Sequence, residues 1–232
     1  MSKNKLQQFA DLDTFKNVLQ YGLLQKTNFP HKGKWAKEYF NNENPIVLEL
    51  ACGKGEYAIG LAEINPNRNY IGVEIKGNRI WTGSKTATDK GLQQVVFLRT
   101  EIEWLTDFFD DGEVSEIWIT FCDPYLSTTK AHKRLTSPRF LNLYQQVLKK
   151  GGTINVKIDD ETLYQFTLDV LAGKEPIEKY PCDVSVFELL ENRNDIYNDG
   201  KPLPEALHIK TYYEKKHLEK GKKIKYIQFR KR

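Results

Sequence analysis

From residue 45 onward, short apolar runs alternate with stretches of helical spacing. Ile46, Val47, Leu48 and Leu50 form a run entered at Pro45 and left at Gly53 and Gly55, the pattern of a buried strand, a tight turn and then a helix over residues 57–64. Turn residues at 65–69 close that helix, and 70–75 predicts a second strand. A helix over 78–90, stopped by Gly91, leads to a third strand at 94–98. A short amphipathic helix at 101–109 precedes a fourth strand, 116–121, which ends at Cys122-Asp-Pro124. Ser137-Pro138 has the cap and first-turn preferences of a helix reaching Lys149, with Gly151-Gly152 as its stop. A fifth strand at 153–158 and a helix at 161–172 follow, then an irregular stretch, then an alternating strand at 223–229.

Strands spaced by helices of this length indicate βαβ units in an α/β, doubly wound, Rossmann-like sheet that is mostly parallel. The last strand has no crossover helix before it and is expected to run antiparallel. Residues 1–44 carry helical patches, Leu6 to Phe15 and Trp35 to Phe40, broken by a turn at 28–33. They predict an N-terminal helical extension packed on a domain spanning 45–232. In such a sheet ligands bind at the carboxyl ends of the strands, where strand order reverses. That rule selects Glu49, Glu74, Thr100 or Glu101, Asp123 and Asp159.

Composition narrows the picture. The 232 residues contain no apolar run near the roughly 20 that a membrane span needs, and the polar start is unlike a signal peptide, so a cytoplasmic protein is expected. Cys52, Cys122 and Cys182 are far apart in sequence, and His132, His208 and His217 lack ligand spacing, so neither a disulfide framework nor a metal is expected. The net charge of +4 hides a segregation. Residues 126–150 hold six Lys/Arg and no acid, and 201–232 hold eleven against three Glu, whereas 151–200 hold four basic and eleven acidic side chains. Basic surface gathered in this way suits a polyanion such as nucleic acid.

The glycine turn admits two cofactors. Gly53-x-Gly55-x-x-Ala58 satisfies a dinucleotide fingerprint, and Glu74 stands about 20 residues on, where an acid holds ribose hydroxyls. Glu49, however, aims an anion at the place a pyrophosphate would occupy. A carboxylate there suits a cofactor with cationic groups, such as S-adenosylmethionine. The Asp123-Pro-Tyr125 turn at the end of the fourth strand then projects a carboxylate on a proline-stiffened loop, resembling the Asp/Asn-Pro-Pro-Tyr turn of amino-methyltransferases with one proline missing.

Asp123-Pro-Tyr125 followed by Leu135-Thr-Ser-Pro-Arg-Phe140 resembles the signature of the bacterial tRNA (guanine-N7-)-methyltransferase family. The resemblance extends to Asn44-Pro45, Leu48-Glu-Leu-Ala-Cys-Gly-Lys-Gly55, Ile71-Gly-Val-Glu-Ile-Lys76, Gly151-Gly152 and Thr211-Tyr-Tyr-Glu214. It implies a class I methyltransferase that moves a methyl group from S-adenosylmethionine to N7 of guanine 46 in the variable loop of tRNA, acting as a monomer or homodimer. Carried over, Glu49, Glu74 and Asp123 contact the cofactor with the glycine turn, Gly53 and Gly55. Asp159 and the run Thr211, Tyr212, Tyr213 and Glu214 handle tRNA. Four positions depart from the family. Thr100, with Glu101 adjacent, stands where Asp or Asn is usual, Tyr125 stands where Trp is usual, Ser127 replaces the substrate-binding lysine, and Ala51 replaces the first glycine. Lys130, His132, Lys133 and Arg134 are the nearby basic residues available to compensate for Ser127.

Guanine N7 bears no proton and offers an in-plane lone pair, so methylation there needs alignment more than a general base, and the product ring is cationic. Asp123 and Asp159, as the catalytic pair, are placed to hold N1 and N2 of the guanine and to offset that charge. Asp159 alternatively reads as a helix N-cap. Tyr125, Tyr212 and Tyr213 can stack on an extruded base. An amino-methyltransferase acting on adenine or protein, and a non-catalytic RNA-binding domain on the same fold, remain as alternatives.

Overall fold

Eight strands join in one sheet among the residues that the computed structural model describes, 3–21, 29–174 and 182–232. They are β1 (Val18–Gln20), β2 (Ile46–Leu50), β3 (Asn69–Glu74), β4 (Val95–Arg99), β5 (Val114–Thr120), β6 (Leu148–Ile158), β7 (Phe187–Arg193) and β8 (Lys225–Lys231). The helices are α1 (Lys3–Leu12), α2 (Glu56–Ile64), α3 (Gly77–Asp89), α4 (Leu105–Phe108), α5 (Pro138–Val147), α6 (Glu161–Leu171) and α7 (Tyr212–Glu219). Spatial order is β1-β4-β3-β2-β5-β6-β8-β7, parallel from β1 through β6, with β8 antiparallel to both β6 and β7. The order reverses between β2 and β5, which fixes where a ligand site should lie.

The period of two along the strands sorts their side chains into two cores. Leu48 and Leu50 lie with Ile71, Val73, Ile117 and Ile119 on the face covered by α4, α5 and α6. Val47 joins Tyr70, Phe97 and Trp118 on the face covered by α2 and α3. Each fully buried aliphatic or aromatic side chain of this kind contributes about 1.5–3 kcal/mol, so both faces hold the central strand ends in place. Glu49 falls on the α2 side by the same alternation.

The structure adds or redraws several elements. β1 arises from the segment expected to be purely helical; its three residues are too few to show a period, and it is held by parallel pairing with β4. Residues 35–39 form a π-helical turn, where Trp35 is fully buried, stacks on Phe109 at 5.5 Å and donates its indole N–H to the carbonyl of Phe108 at 2.9 Å. The turn expected at 28–33 is seen over 30–33; Asn28 lies outside the described residues. The helix expected at 101–109 is a 3-10 turn followed by the short α4. Helix α5 stops at Val147 because Leu148 turns extended and pairs with Val114, so Gly151-Gly152 sits in an excursion within β6 instead of ending a helix. β7 was hidden by a bulge between Leu189 and Glu191 that breaks alternation. α7 was hidden because it inverts the amphipathic pattern: its one buried residue is Glu214.

Candidate active site

The carboxyl ends of β2, β3, β4 and β5 surround a cleft of about 340 Å³. Ala51, Glu74, Thr100, Glu101, Asp123 and Tyr125 line it, together with Arg139 and Phe140 from the Leu135–Phe140 segment. Four of the positions selected by the strand-end rule thus meet in one place, Glu74, Thr100, Glu101 and Asp123, with Ala51 leading into the glycine turn; Gly53 and Gly55 themselves do not line the cleft. Arg139 is held there by an ion pair with Glu103 at 3.2 Å.

Backbone strain gathers at this cleft. Ala51, Phe121 and Tyr125 have φ of +53°, +50° and +41°, in the left-handed region that costs a non-glycine residue roughly 1–2 kcal/mol. They end β2, end β5 and complete the Asp-Pro-Tyr turn. Gly53 (φ +57°) has open space where a Cβ would stand, whereas a Cβ on Gly55 would overlap the Phe97 ring. One glycine therefore leaves room at the cleft and the other permits close packing beneath it.

The carboxylates differ in their surroundings. Glu74 accepts from Ile75 N and Lys76 N, both at 2.9 Å, and from Gly53 N at 3.1 Å, which ties the end of β3 to the glycine turn; Arg79 stands at 3.4 Å. Glu49 is buried under the turn, accepting from Ala58 N at 2.8 Å and from the Thr120 hydroxyl at 3.4 Å. Burial pushes its carboxyl up to about 8, against the pull of the Ala58 N–H. It supports the turn from below and is not part of the cleft wall. Asp123 is exposed and makes no hydrogen bond or ion pair among the described residues. Its charge reinforces what burial does to the Cys122 thiol, which is pushed up to about 12. Thr100 lines the cleft, and its hydroxyl is buried with no partner among the described residues.

Residues expected to meet the substrate divide into exposed and buried ones. Ser127, Lys130 and Lys133 are exposed, with Ser127 Oγ sharing a hydrogen bond with Thr129 Oγ1 at 2.8 Å; Lys133 reaches the cleft. Tyr212 and Tyr213 are 46% and 52% exposed at the start of α7. Tyr212 N donates to the Glu56 carboxylate at 3.1 Å and Lys54 lies 5.5 Å over its ring, so α7 begins beside the glycine turn.

Arg134 does not face a polyanion. It is 4% exposed and donates to main-chain carbonyls of the Asp-Pro-Tyr turn. Glu214 likewise has no surface: it pairs with the fully buried Lys157 at 2.7 Å and accepts from Tyr197 OH at 2.6 Å. Lys157 also donates to the carbonyls of Leu207 and Ile209, each at 3.0 Å, and burial lowers its pKa. Thr211 is the N-cap of α7, its hydroxyl accepting from Glu214 N at 3.2 Å. Asp159 is not the N-cap of α6; that is Asp160, which accepts from Leu163 N at 2.9 Å. Asp159 Oδ2 instead meets Lys222 Nζ at 2.6 Å and lies 3.3 Å from His217 Nδ1, out of line for a hydrogen bond, while Oδ1 accepts no hydrogen bond among the described residues. His217, its pKa lowered by burial, stacks on Phe121 at 5.8 Å. Among the described residues no helix is long and apolar enough to cross a membrane, and no cluster of His, Cys, Asp and Glu could hold a metal ion.

Residues 43–227 match the family described as "Putative methyltransferase". The tRNA (guanine-N(7)-)-methyltransferase of Christiangramia forsetii is 44% identical over 99% of this chain and 98% of its own length. That of Porphyromonas gingivalis is 44% identical over 94% of this chain and 86% of its own. Among solved structures, the 16S rRNA methyltransferase KamB has a TM-score of 0.60 at 15% identity, covering 86% of this chain and 93% of that one; the likeness is one of fold.

Proposed function

We propose a function for a chain that belongs, on these matches, to the tRNA (guanine-N(7)-)-methyltransferase family: transfer of the methyl group of S-adenosylmethionine to N7 of guanine 46 in the tRNA variable loop. The observation that carries this reading is the unpaired carboxylate of Asp123, set on a strained turn at the lip of a cleft whose wall holds Glu74 and the unsatisfied Thr100 hydroxyl.

The residues fit the cofactor. Glu74 would take the ribose hydroxyls, displacing Arg79, the most distant of its donors. Thr100 offers a buried donor and acceptor to the adenine edge in place of the usual carboxylate or amide. The space over Gly53 and the backbone of Ala51 would receive the methionine end, with the Glu49 carboxyl beneath. When bound, S-adenosylmethionine supplies an electrophilic methyl group on a sulfonium.

The remaining work is alignment and charge. Asp123 accepts from N1–H and the N2 amino group of the guanine, turning N7 towards the cleft, and offsets the positive charge that develops on the ring. Asp159, with Oδ2 engaged, has Oδ1 left for the same base edge. Tyr125, Tyr212 and Tyr213 offer faces for the extruded base. Lys130, Lys133, Lys215 and Lys216 are exposed for phosphate contacts.

The test is incubation with labelled S-adenosylmethionine and unmodified tRNA, followed by mapping of the label. N7-methylguanine at position 46 is expected. Label at N6 of adenine would make the chain an amino-methyltransferase, and tRNA binding without transfer would make it a binding module.

A further inference from the structure

We infer that Arg134 is a positioning residue that clamps the Asp123-Pro-Tyr125 turn in its productive shape, and is not a tRNA phosphate contact. This rests on the function proposed above only where turnover is measured; the clamp itself is a statement about the turn.

Tyr125 holds φ +41°, a conformation that persists only when the surroundings impose it. The imposing group is the Arg134 guanidinium. Nε donates to Pro124 O at 2.9 Å and an Nη to Tyr125 O at 3.0 Å, so one planar fork grips two successive carbonyls on either side of the strained residue's backbone. The guanidinium lies 4.3 Å over the Phe166 ring of α6 and is shut away from solvent.

Its own mounting is rigid. Leu135, Thr136 and Ser137, which follow it, are buried, and Thr136 Oγ1 shares a hydrogen bond with Thr167 Oγ1 of α6 at 2.8 Å. Ser137 N donates to Arg134 O at 2.9 Å. The Leu135–Phe140 segment thus fastens the fork to α6, and the fork fastens the turn. The side chains of Asp123 and Tyr125 are aimed by a grip on main chain. A lysine cannot reproduce that grip, since its single ammonium reaches one carbonyl at a time.

The experiment compares Arg134→Met, which keeps the apolar stem over Phe166, with Arg134→Lys, which also keeps the charge. Hydrogen exchange at the amide of Lys130, which donates to Ser127 O at 3.0 Å just after the turn, is measured in both and should rise relative to the core strands. Single-turnover methyl transfer at saturating tRNA should fall by about 10- to 100-fold in both, because small misplacements near a reacting centre cost that much. Affinity for tRNA and its salt dependence should stay within about threefold of wild type. The inference is overturned if Arg134→Lys turns over like wild type while Arg134→Met loses tRNA affinity and its salt slope drops by about 0.9, the mark of one lost phosphate contact. Unchanged exchange at Lys130 overturns it as well. If the wild-type chain transfers no methyl group, the proposed function fails, and the exchange data still judge the clamp.

Discussion

Two segments of this chain carry the residues expected to handle substrate, the Asp123–Arg134 loop and the Thr211–Glu214 start of α7, and each pairs an exposed face with one buried charged anchor. In the loop the anchor is Arg134, which grips carbonyl oxygens. In the helix it is Glu214, which grips the side chain of Lys157. The difference bears on how each segment tolerates change. A grip on main chain is indifferent to the side chains it supports, so Tyr125 and Ser127 can depart from the family pattern while the turn keeps its shape. A grip on a side chain depends on both partners, so Lys157, Glu214, Tyr197 and the cap Thr211 must be kept together.

The largest effect expected from that contrast is on stability. Glu214→Leu strands the Lys157 ammonium in the core and should cost about 3–5 kcal/mol in urea unfolding, with much of it regained by adding Lys157→Met. A Glu214→Leu variant as stable as wild type but poor at binding tRNA would erase the distinction between anchor and face. Next comes Asp123→Asn, on the exposed side of the loop. It should leave the melting temperature unchanged, since Asp123 has no partner among the described residues, and lower the single-turnover rate by about 10²-fold, or roughly 2.7 kcal/mol.

The glycine turn offers a third anchor, Glu49, with a pH signature. Burial holds its pKa at about 8 in the folded protein, well above the ordinary carboxylate range. Wild type should therefore lose stability relative to Glu49→Gln as pH rises through that window, by roughly 1.4 kcal/mol per pH unit. Equal urea midpoints for the two proteins at pH 5 and pH 8 would show that Glu49 ionises freely. The smallest effect belongs to the exposed face of α7. Tyr212→Ala and Tyr213→Ala should each weaken tRNA binding by about 1 kcal/mol, some fivefold in Kd, with no change in unfolding.

The parallel half of the sheet was legible because its strands are buried on both faces and spaced by helices, and the strand-end rule then located Glu74, Thr100 and Asp123 in one cleft. What escaped was whatever ran against the usual pattern. β1 is too short to have a period, β7 has two adjacent leucines at a bulge, and α7 buries a glutamate instead of an apolar stripe. The same cause misassigned Arg134 and Glu214. A charged residue within a basic or polar run reads as surface, and only the fold reveals that carbonyls or an ammonium wait for it inside. Glu49 was seen as a ligand for the cofactor, and its link to Ala58 N makes it the floor of the turn.

The place of β8 also sets a timetable for synthesis. Among the described residues β7 pairs only with β8, yet β8 follows it in the chain by the stretch from Arg193 to Lys225. At ribosomal speeds of about 5–20 residues per second, β7 would wait a few seconds with its backbone unpaired and Phe187 without the Phe229 ring it packs on. During that interval β6 also shows a bare edge, so the nascent chain passes through a stage with two open strands that a chaperone, or another nascent copy, can reach before the hairpin closes.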